Sequence, residues 1–395
     1  MQRAEKASGP SARPDDSCTR GYGRARLWLG ISAVGSIVAL CTLGLVFDVA
    51  GMVQQRINSG TLGPITALLL FVLVYAAIQL PFDLFGGYLL PRRFGRSHPP
   101  LGSYLTGLAR GAAIHSALLF FAAVTILLAG KYGGIAGSVA AGLVMTVLLL
   151  GGRLAVAALM ARLELAPSEL TSATSEDRLP IYVAQAHDEG FTGGVLGVFR
   201  PRALLLPEKW RVILGPEGLE FAINRRALAV KTGSWKRGRV MALLFTFLGL
   251  VLAAWLAGPS RLGTAGGTIA FSLWFSLWSF LGLLTLPTLS RHGVIEVDER
   301  ARAAGCPSEA IRSATRLLDD LQDGEPDRPS VVETVFHPIP SVSSRLEGPR
   351  THGVVGFWDA ARTAIYLSLA GLGLLGRAVH CNCGRPSLWV FLPAD

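Results

Sequence analysis

Val240-Met241-Ala242-Leu243-Leu244-Phe245-Thr246-Phe247-Leu248-Gly249-Leu250-Val251-Leu252-Ala253-Ala254-Trp255-Leu256-Ala257 carries no charged side chain. Wound as a helix at about 1.5 Å per residue, it rises roughly 27 Å, close to the ~30 Å hydrocarbon core of a bilayer. Similar runs recur at Leu27–Phe47, Pro64–Leu80, Gly111–Leu128, Ile135–Leu150 and Gly267–Leu286. The sequence therefore predicts a polytopic α-helical membrane protein with about six transmembrane helices. Pro64 suits a helix start, where its missing N–H costs nothing. A further apolar stretch, Ile365–Leu375, is too short to span and reads as an interfacial or packed helix.

Composition points the same way. The 395 residues are 51% hydrophobic and 16% charged, with a mean hydropathy of +0.45. The net charge of +10 suggests no nucleic acid, because the basic residues flank apolar runs instead of forming a stripe with interleaved aromatics. Arginine and lysine crowd the region before the first run, the loop at Arg92, Arg93, Arg96 and Arg110, and the long segment holding Arg200, Arg202, Lys209, Arg211, Arg225, Arg226, Lys231, Lys236 and Arg237. The alternate loops hold Arg56, Lys131 and Arg261. The positive-inside rule then puts both termini and both long hydrophilic segments in the cytoplasm of a multi-pass cell-membrane protein. Cys18, Cys41, Cys306, Cys381 and Cys383 form no disulfide framework.

Six regions follow. Residues 1–26 are a basic, Pro-, Gly- and Ser-rich tail expected to be disordered, and the next run is an uncleaved anchor. Residues 27–160 hold four spans, and 161–238 are a cytoplasmic segment of strands and a helix. Two more spans occupy 239–287. Cytoplasmic helices fill 288–350, and 351–395 form a short apolar helix and tail. In the first hydrophilic segment Pro180–Ala184, Gly194–Arg200 and Ala203–Pro207 read as strands. Gly215-Pro216-Glu217-Gly218 opens a helix with Leu219, Ala222, Ile223, Leu228 and Ala229 on one side. The second segment continues the sixth span as a charged helix and adds another near Ser308–Leu321.

That order of parts carries a resemblance. The helix ends in Lys231-Thr232-Gly233-Ser234-Trp235, two spans follow, and then comes Ser290-Arg291-His292-Gly293-Val294-Ile295-Glu296-Val297-Asp298. Over roughly 180–350 this resembles the integral-membrane zinc metallopeptidases of the CAAX-prenyl-protease and HtpX type. His337-Pro338 with Arg345 looks like the family's later His-Pro and Arg segment, and Gly197-Val198-Phe199-Arg200-Pro201-Arg202-Ala203-Leu204-Leu205-Leu206-Pro207 like its strand pair. The resemblance implies a cytoplasmic α+β metallopeptidase-like domain and, in the family, zinc held by HExxH and a third ligand. Two histidines four apart share one helix face and hold the metal, while the glutamate activates its water. Here the aligned pentapeptide is Arg225-Arg226-Ala227-Leu228-Ala229. Arg225 and Ala229 stand at the histidine positions, Arg226 at the general base and Val294 at the third ligand. Guanidinium and aliphatic groups offer no lone pair to a metal. The resemblance therefore implies a divergent member without zinc or any other cofactor.

Several residues carry open alternatives. Arg225 and Arg226 are either a solvated helix face or an ion pair with Glu296 or Asp298 in the place of the metal. His337-Pro338 is a loop corner or a motif remnant. His187-Asp188-Glu189 reads as an exposed turn, and His380-Cys381-Asn382-Cys383 as a packed or lipid-anchoring tail. Trp274 and Trp278 read as lipid-facing bulk. Gly133, Gly134, Gly137 and Gly142 suit close helix packing.

Family members take substrate as an added strand, a mode that survives loss of metal ligands. The expected function is thus a catalytically inactive pseudopeptidase that binds a peptide or protein partner on the cytoplasmic side, along an edge at Gly194, Val195, Leu196, Gly197 and Val198. Two alternatives stand beside it. One is an active metalloendopeptidase with zinc on His187, His292 and His337; the other is a transporter or channel, which would want ionisable residues inside the spans.

Overall fold

The computed structural model describes residues 16–171, 179–322, 324–347 and 355–393. The chain is mostly helical. In order it forms α1 (Asp16–Val46), α2 (Val49–Asn58), α3 (Pro64–Leu84), α4 (Leu90–Arg93), α5 (Leu101–Gly151) and α6 (Arg153–Ala161), then β1 (Glu164–Thr171), β2 (Pro180–Gln185), β3 (Gly194–Leu196) and β4 (Ala203–Pro207). Helices α7 (Trp210–Ile213), α8 (Gly215–Lys231), α9 (Ser234–Ala257), α10 (Ala265–Ala303), α11 (Ser308–Gln322), α12 (Ser330–Phe336), α13 (Val342–Leu346) and α14 (Ala360–Leu367) follow.

Five helices, α1, α3 with its continuation to Arg93, α5, α9 and α10, are long and apolar enough to cross a membrane. Their outward faces expose large apolar side chains, among them Val74, Val147, Leu148 and Leu248, as a lipid-facing surface must. Six spans were expected, and the difference lies in α5. Its 51 residues contain the third and fourth expected runs with no loop between them. Gly134, at φ 55° and ψ −135°, is not helical; only glycine adopts that conformation readily. The chain folds back there, so that a Cβ on Gly137 would strike the carbonyl of Ala129. Gly111 and Arg153, near opposite ends of α5, accordingly both meet the C-terminal segment, at Pro386 and Val390 respectively. Gly142, like Gly137, serves close packing, here against Leu250.

The loops bearing Arg56, Lys131 and Arg261 gather at one end of the bundle. Arg261 bonds Asp48 at 2.9 Å, Gln54 accepts from the amide of Gly266, and Gly263 lies against Lys131. Of the expected N-terminal tail, residues 1–15 lie outside the described residues, and from Asp16 the chain is helical. Burial of Tyr22 and Arg26, whose guanidinium donates to the Gln322 carbonyl at 2.8 Å, ties this end down.

The four-stranded sheet has the order β1-β2-β4-β3, with β2 parallel to β4 and the other pairs antiparallel. All of β4 is buried. Leu204 and Leu206 face one core with Leu219, Phe221, Ala222, Ile223, Val294 and Trp235, while Ala203 and Leu205 face the core of the helical bundle. Burial on both faces explains why this strand reads as a continuous apolar run. Strands expected at 180–184 and 203–207 are present, and the run expected at 194–200 ends earlier, at Leu196, where Gly197 takes φ 133°.

The last segment is the least regular and among the most buried. After α14 and a short 3-10 turn to Gly371, residues 372–393 thread through the bundle with little helix. Side chains from the helices satisfy this segment. Arg153 donates to Val390 O at 2.8 Å and Arg362 to Pro393 O at 2.9 Å; Asp83 accepts from the Gly384 amide at 2.8 Å and pairs with Arg377. Trp278 is also more buried than a lipid-facing residue would be. Its ring stacks on Phe245 at 4.8 Å, and its indole N–H donates to Phe245 O.

Candidate functional site

Helix α8, which leads into a membrane hairpin, and the end of α10, which leaves it on the same side, frame the site. Helix α8 starts where Gly215 takes φ 65° and Pro216 occupies the first turn, with Glu217 near the positive helix end and Lys231 in the last turn. Gly233, at φ 75°, turns the chain directly into α9. Helix α10 emerges from its apolar portion as one continuous helix to Ala303, so it presents Val294 and Asp298 against α8. Gly238 and Gly293 bring α9 and α10 onto the backbone of Trp358, which a side chain at either position would strike.

Asp298 is the centre. Its side chain is 2% exposed. Arg225 donates from Nε to Oδ1 at 2.6 Å; Arg345, on α13, donates from Nε to Oδ2 at 2.7 Å and from Nη2 to Oδ1 at 3.2 Å. Ser341 caps α13 by accepting from the Ser344 amide, and Arg302 donates to the Arg345 carbonyl, so the backbone that carries the second guanidinium is held. The ring face of Phe221 lies 5.6 Å from Arg225. Buried guanidinium–carboxylate contacts of this kind are tolerable only when geometry and hydrogen bonding are good.

Arg226 turns away from these acids. It donates to Ala222 O at 2.8 Å and Thr192 O at 2.7 Å, with its guanidinium 5.0 Å from the Trp210 ring. Glu296 also finds another partner. Arg237, on the first turn of α9, donates to both its oxygens at 3.1 and 2.9 Å, and the Gly356 amide donates to it at 3.0 Å. Arg225 and Arg226 are fully buried, which excludes a solvated helix face. Ala229 and Val294, with no exposed surface, pack in the apolar core.

Zinc does not fit this donor set. Ala229 and Val294 have no donor atoms, Arg225 and Arg226 are cations, and both oxygens of Asp298 are engaged by guanidinium groups. His187 is exposed beyond β2, His292 is half-buried on α10, and His337 is buried with its ring 5.0 Å from that of His380. Among the described residues no three His, Cys, Asp or Glu side chains gather in a metal-holding group.

The strand edge is likewise partly occupied. Gly194, Val195 and Leu196 are buried, and Arg239 of α9 donates to Val195 O at 3.3 Å; Gly197 and Val198 are half-buried. Asp188, in the turn after β2, pairs with Arg385 of the C-terminal segment, Nε to Oδ2 at 2.6 Å. Burial pushes the Asp188 carboxyl up, but the Arg385 guanidinium and the Gly190 amide outweigh it and hold the group below the usual carboxylate range.

Sequence reasoning missed Arg237 as the partner of Glu296, Arg239 on the strand edge, and the Asp83–Arg377 pair inside the bundle. Asp83 left a signal: an acid three residues beyond the expected end of the second span needs a cation brought from elsewhere.

Residues 17–162 match the family described as CAAX prenyl protease N-terminal, five membrane helices. No curated protein matches the chain. Among solved structures the fold is similar to the crystal structure of S. mikatae Ste24p, with a TM-score of 0.61 and 11% identity, over 84% of this chain and 87% of that one. The membrane region is thus similar to that family's N-terminal part and the fold to that of Ste24p, and the sequence resemblance at 180–350 sits on that fold.

Proposed function

We propose that this chain, built on the fold of a membrane metallopeptidase, is a pseudopeptidase that binds a peptide or protein partner without cleaving it. One observation carries the reading: Arg225, at a position where the family's pattern would require a metal ligand, is instead paired with the buried Asp298. A fixed positive charge there satisfies the remaining acid and repels a divalent cation. The position that would supply the general base holds Arg226, which cannot accept a proton at physiological pH.

The partner adds as a strand beside Gly194–Val198 and takes the place of the Arg239 guanidinium on Val195 O. The sheet, α8 and α11–α13 form the cytoplasmic α+β part. Both termini lie on that side of the cell membrane, because the basic loops gather there and the loops at Arg56, Lys131 and Arg261 gather at the other end.

The test is zinc content and peptide hydrolysis of the full-length protein in detergent. Less than one zinc per ten chains and no cleavage above a buffer blank are expected. Stoichiometric zinc that disappears in His292→Ala, together with cleavage, would overturn the proposal in favour of an active peptidase.

A further inference from the structure

A cavity of about 300 Å³ opens between α1, α10, α14 and the C-terminal segment. Its lining combines hydrocarbon with charged side chains. One wall is hydrocarbon: Ile31 and Val34 from α1, Phe280 and Leu284 from α10, and Ile365 and Leu392 from the C-terminal region. Gly35 and Leu284, at the rim, belong to the outward apolar faces of two helices long enough to cross a membrane. The mouth therefore faces lipid. The charged part of the lining is mostly basic, with Arg26, Arg328, Arg345, Arg362 and Arg385 against one acid, Asp319. Arg362 and Arg385 each keep one guanidinium nitrogen, Nη2 and Nη1 respectively, with no hydrogen-bond partner. Arg362 is fully buried.

The balance of charge around Arg362 shows what this lining lacks. Arg362 binds Asp359 at 2.9 Å, but Arg153 shares the same carboxylate at 3.9 Å. One anion thus serves two guanidinium groups, and Arg362 Nη2 is left without a hydrogen-bond partner on a residue that lines the cavity. Burial of an unpaired donor on a charged group is costly, so an anion supplied from outside would be bound strongly. At about 30 Å³ per water-sized group, the whole cavity has room for roughly ten such groups, so a head group and the nearer part of a chain fit inside and the rest of the chain extends through the mouth into lipid; burial of each methylene contributes ~0.8 kcal/mol.

We propose that this cavity is a binding site for a single-chain lipid with an anionic carboxylate head. Its chain lies along Ile31, Val34 and Phe280, and its head is held by Arg362 and Arg385. Arg345, which holds Asp298, and His337 line the same cavity, so it adjoins the candidate site, but lipid binding there does not require the pseudopeptidase reading.

The experiment uses full-length protein in phosphatidylcholine nanodiscs and radiolabelled laurate, with dodecanol and methyl laurate as neutral competitors. One saturable laurate site per chain is expected, with each neutral competitor at least tenfold weaker. Val34→Trp, which fills the apolar wall, weakens laurate at least tenfold while the unfolding midpoint stays within a few degrees of the parent. Arg362→Gln, which keeps a donor for Pro393 O, weakens laurate tenfold or more and leaves methyl laurate unchanged. Should that variant fail to fold, the neutral competitors on the parent protein test the head group alone. Equal competition by the neutral compounds, wild-type affinity in Val34→Trp, or no saturable site would each overturn the proposal.

Discussion

Replacing Asp298 by asparagine keeps size and shape and removes the charge that two buried guanidinium groups share. Three N–H···O contacts at 2.6, 2.7 and 3.2 Å end on this carboxylate. Hydrogen bonds to charged groups contribute about 1.5–3 kcal/mol each, but their simple sum ignores the desolvation already spent in burying three charges. Asparagine also turns an N–H toward one guanidinium. Loss of one partner of a buried ion pair costs roughly 3–5 kcal/mol, because the charges left behind are uncompensated. Arg225 and Arg345 are 2% and 4% exposed, so solvent relieves little of this. Asp298→Asn is therefore expected to destabilise the α8–α10 region by about 3–5 kcal/mol. Trp210, Trp235 and Trp358 are buried in the same apolar core, so their fluorescence reports its unfolding in a fixed detergent. At about 2–4 °C per kcal/mol the midpoint falls by at least ~6 °C. The triple variant Arg225→Met, Asp298→Leu, Arg345→Met removes all three charges together and is expected to lie within ~2 kcal/mol of the parent. If Asp298→Asn shifts stability by less than ~1 kcal/mol, the carboxylate does not hold the two arginines and the reasoning fails.

Two further outcomes follow from other buried charges. Arg239 makes one 3.3 Å bond to Val195 O while its Nε and Nη1 have no partner, so Arg239→Met is expected to cost less than ~1 kcal/mol by urea unfolding, and a loss above ~3 kcal/mol contradicts this. Asp188 has its folded-state pKa depressed by Arg385, so its stabilising effect is present above the unfolded value near 3.9 and is lost as pH falls through the folded value. The stability difference between parent and Asp188→Asn, about 2–3 kcal/mol at pH 7, should therefore shrink below pH ~4, and a gap unchanged at pH 3 would show that Arg385 is not its cause.

Much of this architecture is legible along the chain, because hydrophobic length and period are local properties. Uncharged runs identify the spans, and Ala203–Pro207 reads as a strand. The residue types at 225, 226, 229 and 294 by themselves exclude metal ligation, since no fold can give an alkyl or guanidinium group a lone pair to donate. What the sequence could not determine is which charges meet. Arg225 and Asp298 are 73 residues apart, and Arg345 and Asp298 are 47 apart; Arg237, not Arg225 or Arg226, reaches Glu296. Those pairings depend on how α8, α10 and α13 are rotated about their axes, and that rotation is set by packing across the whole core. The same holds for the reversal at Gly134, where one glycine does the work of a loop, and for the buried C-terminal segment. Its backbone is satisfied by arginines from α6 and α14 that only the folded bundle brings within reach.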